Sequence, residues 1–166
     1  KIKYVLAGHR EVDFLWADLI IKNPDVPLTS PYLNIARRNN VPIETDISLF
    51  FKLSKAFVIG ITGTKGKSTT ASLIYYILRR KYKRTFLAGN IGVSPLELLS
   101  KIKKGDRIVL ELSSFELEGL TKSPNIAVIT NILPDHLNRY DSMAEYIESK
   151  KTICLSNSFF NQCSRK

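Results

Sequence analysis

A short loop rich in glycine, threonine and lysine lies near the middle of the sequence, at residues 63–70. An apolar, β-branched run precedes this loop, and a helix-forming run follows it. In such a strand–loop–helix arrangement, glycines let backbone N–H groups turn toward an anion, and the helix N-terminus adds partial positive charge. Lys67 can add a mobile full charge, and Ser68 can offer its hydroxyl to a magnesium ion. The loop therefore predicts a binding site for the phosphates of a nucleotide.

The spacing of this loop departs from the general phosphate-binding pattern at one position. Gly66-Lys67-Ser68 matches the core of the pattern, but the leading glycine would fall at Ile61, and Gly63 stands inside the loop instead. The structural alternative is a glycine-rich turn between a strand and a helix, with Lys67 simply solvated. The strand before the loop and the helix after it favour phosphate binding.

Three further groups of polar residues each follow a predicted strand. Asn90 lies in a Gly-Asn-Ile-Gly segment, Glu111 begins the segment Glu-Leu-Ser-Ser-Phe-Glu, and Asp135-His136 follows the last strand. Carboxylates and histidine can hold magnesium or manganese near a phosphate. Taken singly, each has a simpler explanation, since a glutamate at a strand end is usually solvated or paired, and a histidine after proline usually caps or packs. From spacing alone, Lys150 is an ordinary exposed helix lysine.

Alternating strands and helices must position these residues from residue 55 onward. The predicted strands are Phe57–Thr62, Thr85–Ala88, Arg107–Leu112 and Ile126–Ile132. The first predicted helix is Lys67–Tyr82, whose apolar face includes Ala71, Ile74, Ile77 and Leu78. A second helix begins with a capping box at Ser94 and runs to about Lys101. The third is Met143–Leu155, which Ser142 caps. This alternation is typical of an α/β fold with a doubly wound, mostly parallel sheet, which binds ligands at the carboxyl ends of its strands.

The first 54 residues predict a smaller α/β segment. Its predicted elements are a helix that starts at Glu11, a short strand at Ala17–Ile21, and helices at Pro31–Arg38 and Thr45–Leu53. This segment is too short for a complete nucleotide-type domain, so we expect the back half of one. Because the chain begins with Lys1 rather than Met, we also expect a piece of a longer protein.

The composition is that of a soluble globular chain of 166 residues, with 44% hydrophobic and 24% charged residues. No apolar run approaches the length of a membrane span, and no signal peptide opens the sequence. Cys154 and Cys163 lie far from CxxC spacing, which favours reduced thiols and the cytoplasm. The net charge of +10 allows a basic nucleic-acid-binding domain. Many cations, however, cluster at the helix end around Arg79–Arg84, and there is no basic motif with interleaved aromatics, so nucleic acid is not expected.

Four segments, taken together, are highly specific. They are Gly63-Thr64-Lys65-Gly66-Lys67-Ser68-Thr69, Gly89-Asn90-Ile91-Gly92, Glu111-Leu112-Ser113-Ser114-Phe115-x-Leu117-Glu118, and Thr130-Asn131-Ile132 with Asp135-His136-x-x-Arg139-Tyr140. In this order they resemble the Mur ligase family of peptidoglycan synthesis, and the resemblance extends to about Ile153. Within the family, the pattern is most similar to the branch that joins D-glutamate to UDP-N-acetylmuramoyl-L-alanine. The alternatives are another Mur-type or folylpolyglutamate-synthase-like amide ligase, or a non-catalytic nucleotide-binding module.

The resemblance implies an ATP-dependent ligase that forms an amide through an acyl phosphate, with Mg²⁺ as cofactor. Residues 63–69 would bind ATP, and the catalytic residues would be Lys67, Glu111, His136 and Lys150. The magnesium ligands would be Ser68, Glu111, His136 and, if carbamylated, Lys150. The substrate contacts would be Asn90, Ser113 and Glu116, although the family usually has glutamine at position 116.

The resemblance also implies a domain organisation. Residues 1–54 would be the C-terminal part of a Rossmann-like domain that binds the UDP substrate. Residues 55–166 would be the first part of a central ATPase domain of P-loop type. A third domain would lie outside this chain, and the protein would be a cytoplasmic monomer without a nucleic-acid or membrane partner.

Overall fold

The chain divides after Asp46 into two units in the computed structural model, which describes residues 2–155. The sequence placed this division after Ser54. The difference is helix α3 (Asp46–Leu53), because its apolar residues Ile47, Phe50 and Phe51 are buried in the core of the second unit. The far end of the predicted 55–166 domain lies outside the described residues.

The first unit contains two short helices and a two-stranded parallel sheet. Its elements are α1 (Glu11–Trp16), β1 (Ile20–Ile21), α2 (Pro31–Arg38) and β2 (Ile43–Glu44). Ile20 is the register partner of Ile43, so β1 and β2 run side by side. The sequence predicted α2 correctly but made the first strand too long and missed β2.

The second unit has the strand–helix alternation that the sequence predicted. After α3, its elements are β3 (Phe57–Thr62), α4 (Lys67–Lys81), β4 (Thr85–Gly89), α5 (Pro95–Leu98), β5 (Arg107–Glu111), α6 (Ser114–Leu117), β6 (Ile126–Ile129) and α7 (Met143–Lys151), with a 3₁₀ turn at Thr152–Cys154. The four strands are all parallel and lie in the order β4-β5-β3-β6. The prediction of a parallel α/β sheet is therefore confirmed.

Helices cover both faces of this sheet, because successive residues of a strand point to opposite faces. On one face, Ile61 of β3 and Val109 of β5 pack against Ala71 of α4. On the other face, Val58 of β3 and Leu110 of β5 share a core with α3, α5 and α6. The parallel order and the two covered faces bring the carboxyl ends of all four strands to one edge.

Several element boundaries differ from the predictions. Ser94 makes no side-chain cap hydrogen bond, so the predicted capping box is wrong there, and α5 is a single turn. The strand β6 ends at Ile129, and α7 ends at Lys151. The cap of α7 is confirmed, since Ser142 Oγ accepts a 3.2 Å hydrogen bond from the Glu145 amide.

The predicted apolar face of α4 is also partly wrong, because Ile77 is 66% exposed. Ile74, Tyr75 and Leu78 pack on the sheet with Ala71. These residues follow the i, i+3, i+4, i+7 spacing of one helix face, which leaves Ile77 to the side.

Two further sequence expectations concern membranes and thiols. Within residues 2–155, every helix falls short of the length and apolar character that a membrane crossing needs. Cys154 is a free thiol whose pKa is raised by burial, and Cys163 lies outside the described residues.

Candidate active site

The loop between β3 and α4 has a conformation that depends on its glycines. Gly63 has a φ of 146°, and a Cβ there would lie 2.0 Å from the hydroxyl oxygen of Thr130. Gly66 has a φ of 80° and occupies the N-cap position of α4. Both conformations are ones that residues with a side chain rarely adopt. The glycine inside the loop, which departs from the general spacing, is therefore required by the close approach of the chain after β6.

Hydrogen bonds from the segment after β6 hold the loop in place. The amides of Thr64 and Lys65 donate to the backbone and side-chain oxygens of Asn131. In return, Asn131 Nδ2 and Thr130 Oγ1 donate to the Lys65 carbonyl at 3.0 and 2.7 Å. This two-way bonding makes the loop a preformed element, as expected of a phosphate-binding site.

Two lysine ammonium groups converge on one carbonyl of this loop. Lys67 Nζ donates to the carbonyls of Gly63 and Thr64, at 3.0 Å each. Lys150 Nζ, from α7, donates to the same Gly63 carbonyl at 3.2 Å. The structure thus brings together two residues that lie far apart in sequence, and it places both at the loop.

Lys150 is the more unusual of the two, because its side chain is buried and only 2% exposed. Its ammonium lies 4.7 Å from the centre of the Tyr146 ring. Burial, and to a lesser extent the charge of Lys67, lower the pKa of Lys150 to about 8, while Asp135 acts in the opposite direction. A lysine in this state is a neutral, nucleophilic amine for a large fraction of the time at mildly alkaline pH.

Glu111, the last residue of β5, carries an unusual carboxylate. It is 3% exposed, and its Oε2 atom has no hydrogen-bond partner among residues 2–155. Its register partner on β3 is Ile61, two residues before Gly63, so the carboxylate belongs to the same strand edge as the loop. A buried carboxylate oxygen without a partner is costly unless a cation satisfies it. Glu111 therefore fits the role of a magnesium ligand.

The other predicted magnesium ligands lie on different elements. Ser68 is exposed in the first turn of α4. His136 is also exposed and has a φ of 54°, and its ring centre lies 5.1 Å from that of Phe115 and 6.3 Å from that of Tyr146. Within residues 2–155, no three His, Cys, Asp or Glu side chains are grouped closely enough to form a metal site by themselves. A metal here would need the Ser68 hydroxyl, the phosphates or a modified lysine among its ligands.

Tyr146 connects these parts of the site, although the sequence predicted no role for it. Its hydroxyl lies 3.1 Å from Thr64 Oγ1, which also accepts a 2.9 Å hydrogen bond from the Leu133 amide. Its ring faces Lys150 on one side and His136 on another. The side chain is buried, and burial raises its pKa. Tyr146 thereby fixes the phosphate loop, the buried lysine and the histidine relative to one another.

The three predicted substrate contacts lie at two other strand ends. Asn90 is exposed, and its amide donates to the Glu111 carbonyl at 3.2 Å. Ser113 and Glu116 form a capping box for α6, in which the Ser113 amide and hydroxyl both donate to Glu116 Oε2 at 2.7 Å. The Ser-x-x-Glu spacing is a known signal for this cap, which the sequence analysis missed. Contact of these residues with a substrate stays a prediction.

A separate cavity of about 220 Å³ opens at the opposite, amino end of the sheet. Its lining includes Lys55, Lys122 and Asn125 but none of the predicted site residues. Lys122 Nζ donates to the Phe51 carbonyl, and Asn125 Oδ1 accepts from the Val58 amide, so these polar groups serve the local fold. The predicted site residues lie instead near the carboxyl end of the sheet.

Comparison with known proteins found a family model, curated relatives and a solved structure that match this chain. The family model described as Mur ligase middle domain matches residues 61–160. A UDP-N-acetylmuramoylalanine--D-glutamate ligase of Roseiflexus sp. (strain RS-1) is 46% identical over 155 residues, which cover 92% of this chain and 33% of the relative. The ligase of the same name from Borreliella afzelii (strain PKo) is 44% identical over 165 residues, or 99% of this chain and 35% of the relative. The chain thus spans about a third of the length of these curated relatives.

A solved structure supports the fold. The crystal structure of MurF ligase from Thermotoga maritima in complex with ADP superposes with a TM-score of 0.51 at 21% sequence identity. The match covers 85% of this chain and 43% of that one. At this identity, the likeness concerns the fold alone.

Proposed function

Because this chain belongs to the Mur ligase family, we propose that it is part of the ligase that joins D-glutamate to UDP-N-acetylmuramoyl-L-alanine in peptidoglycan synthesis. In this proposal, residues 1–54 are the C-terminal part of the UDP-substrate-binding domain, and residues 55–166 are the first part of the ATPase domain. The rest of the enzyme, including a third domain, would lie outside the chain. The whole protein would act as a cytoplasmic monomer on small-molecule substrates, without nucleic acid or membrane.

The proposed reaction has two steps. The carboxylate of UDP-N-acetylmuramoyl-L-alanine attacks the γ-phosphorus of ATP, which forms an acyl phosphate and releases ADP. The amine of D-glutamate then attacks the acyl carbon, the tetrahedral intermediate expels phosphate, and the amine loses a proton to leave an amide. Amide formation is driven in this way by the cleavage of ATP.

The residues of the phosphate loop suit the first step. The loop amides other than those of Thr64 and Lys65, which bind Asn131, would stabilise the negative charge of the transferring phosphoryl group together with the Lys67 ammonium. Lys67 already lies against the loop through two carbonyls, so it is positioned before the nucleotide binds. Asn90, Ser113 and Glu116 would contact the sugar-nucleotide substrate at the neighbouring strand ends.

The magnesium ligands would be Ser68, Glu111, His136 and a modified Lys150. Bound magnesium would supply charge neutralisation for the phosphates and the substrate carboxylate. The uncompensated Oε2 of Glu111 supports this assignment, because a cation would satisfy it.

The modification would be a carbamate on Lys150. The ammonium group first loses one proton. The neutral amine then adds to carbon dioxide, an N–C bond forms, and a second proton is released, so a cation becomes an anion. The observation that carries the proposal is this lysine, a buried amine with a lowered pKa that donates to Gly63 of the phosphate loop. Carbamylation requires such an unprotonated amine, and the anion it produces can bind magnesium.

The modification is tested by ¹³C NMR of the chain in ¹³C-labelled bicarbonate. We expect one carbamate resonance that Lys150→Met removes and Lys151→Met, at the exposed neighbour, retains. A spectrum in which Lys150→Met removes no carbamate resonance would refute this assignment.

The reaction is tested in a protein of the relatives' full length that contains this chain. Phosphate release should require ATP, UDP-N-acetylmuramoyl-L-alanine and D-glutamate together. Equal turnover with another amino acid, or with a folate substrate, would refute the proposal and indicate a different amide ligase.

The chain by itself has a second candidate function, since it spans about a third of its relatives. It would act as a nucleotide-binding module without ligase activity. Calorimetric titration with ATP and magnesium should show binding, and an assay with all three substrates should show no phosphate release. Measurable turnover by the chain alone would refute this second proposal.

A further inference from the structure

We propose that Glu118 is a positioning residue, which holds His136 in place by anchoring the loop that carries it. This loop, residues 135–140, is called the His136 loop below. Glu118 directly follows α6, on a different element from the loop. The importance of the position of His136 for catalysis rests on the proposed function, but the anchoring itself does not.

Glu118 binds the His136 loop through both of its carboxylate oxygens. Oε2 lies 3.1 Å from Arg139 Nη2, and Oε1 accepts a 3.0 Å hydrogen bond from the Tyr140 hydroxyl. The side chains of the Glu118–Arg139 pair are only 16% and 19% exposed. Charge-assisted hydrogen bonds between side chains that are mostly shielded from water are stronger and better oriented than those of a solvated pair. One carboxylate thus fixes two neighbouring residues of the loop.

Contacts between planar groups connect this anchoring to the histidine. The Arg139 guanidinium carbon lies 4.5 Å from the centre of the Phe115 ring, and that ring lies 5.1 Å from His136. Phe115 belongs to α6, the helix that Glu118 follows. The segment of α6 and Glu118 therefore contacts the His136 loop at two points, through the Glu118 carboxylate and through the Phe115 ring.

The His136 backbone needs such support. Its φ of 54° is a left-handed conformation that costs energy for a residue with a side chain. The loop has internal hydrogen bonds, since the amides of Arg139 and Tyr140 both donate to the His136 carbonyl at 2.9 and 3.2 Å. These bonds are local and move with the loop, whereas the bonds to Glu118 connect it to the sheet-covering helix. Without Glu118, we expect the histidine to sample more positions.

NMR of the histidine side chains tests this inference without substrate or metal. The chain has two histidines, and His9, in the first unit, is the internal reference. His136→Ala identifies the ring resonance of His136 by its disappearance. Glu118→Gln should shift the His136 resonance toward that of a histidine in the unfolded chain and leave His9 in place. The matched control is Glu148→Gln, which removes a carboxylate from an exposed ion pair with Lys151 and should move neither resonance.

A second variant separates positioning from general stability. Arg139→Lys keeps the charge but loses the planar group over Phe115, so it should shift His136 in the same direction. An unmoved His136 resonance in these variants would overturn the inference. If Glu118→Gln does not fold, Arg139→Lys alone decides by the same criterion.

The outcome is independent of the ligase assay. A His136 resonance that moves, in a full-length protein with no D-glutamate-dependent phosphate release, would leave the anchoring intact and refute the proposed function. A full-length protein that shows D-glutamate-dependent phosphate release, but whose His136 resonance does not move in Glu118→Gln, would refute the anchoring and leave the proposed function intact.

Discussion

Replacing the buried Lys150 with methionine should stabilise the folded chain near neutral pH. The pKa of this lysine is about 8, against an ordinary value of 10.5. At about 1.4 kcal/mol per pKa unit, the difference corresponds to a cost of ~3 kcal/mol for keeping the charged form in the fold. Loss of the hydrogen bond to the Gly63 carbonyl takes back about 1 kcal/mol. The expected net gain in the free energy of unfolding is therefore roughly 2 kcal/mol near pH 7.

The sign of the pH dependence follows from the lowered pKa. Between pH 8 and pH 10.5, the unfolded chain binds more protons at this lysine than the folded chain does, so the unmodified protein gains stability as the pH rises. The cost is fully present below that window and disappears above it. The advantage of Lys150→Met should therefore be largest near pH 7 and should vanish by about pH 10.

Urea denaturation at these two pH values measures the effect, in buffer free of carbon dioxide so that the amine stays unmodified. Lys151→Met is the matched control, because Lys151 is exposed and forms a surface ion pair with Glu148. The control should change stability by no more than about 0.5 kcal/mol at either pH. A Lys150→Met variant that is less stable than the control near pH 7, or whose advantage persists unchanged at high pH, would refute the reasoning.

Three further predictions concern the loop, the proposed metal site and the exposed helix face. Gly63→Ala should abolish nucleotide binding in calorimetry, because a Cβ there would lie 2.0 Å from a hydroxyl oxygen; Gly105→Ala, with a positive φ but open space, should retain binding and lose only about 1 kcal/mol of stability. Glu111→Gln should weaken ATP binding at least about tenfold in magnesium and leave binding without magnesium unchanged, and equal weakening in both conditions would contradict a metal role. Ile77→Ser should change the unfolding free energy by less than about 0.5 kcal/mol, whereas Ile74→Ser should cost about 2 kcal/mol, and the reverse order would contradict the packing of α4.

Local chemistry explains the parts of the fold that the sequence predicted well. Strand β3, helix α2 and the cap of α7 follow from short-range signals, namely a β-branched run, a proline at the first helical position, and a serine that binds an amide three residues on. Each signal acts within a few residues, so it can be read without knowledge of the tertiary contacts.

The incorrect predictions concern features that tertiary packing decides rather than short-range signals. Ile77 has the right type for a buried helix position, but only the direction of the sheet decides which stripe of α4 is covered. Ser94 has the right spacing for a cap, yet α5 ends after one turn at Leu98 and makes no use of the serine side chain. Ser113 shows that the same spacing does form a cap when the carboxylate is buried beside it. Whether such a serine caps its helix therefore depends on tertiary packing, about which residue spacing carries no information.

The site was predictable to a different degree at each residue. The phosphate loop is continuous in sequence, so Lys67 and its neighbours could be identified directly. Lys150 is 87 residues from the carbonyl that it binds, and only the resemblance to a family pointed to it. Glu118 ends one of the segments that carry the family resemblance, but its role could not be predicted, because that role consists of contacts to Arg139 and Tyr140, which lie on another element.

The two lysines at Gly63 explain why a modification at this place would be useful. As ammonium groups, Lys67 and Lys150 repel each other, and this repulsion is one cause of the lowered pKa of Lys150. The proposed carbamate would replace one of the two positive charges with a negative one, so the repulsion would become an attraction. In the proposed site, a bound magnesium ion would offset the negative charges of this carbamate and of the Glu111 carboxylate. In this way, one reaction with carbon dioxide would both remove the repulsion between two cations at the phosphate loop and add a negatively charged ligand for magnesium.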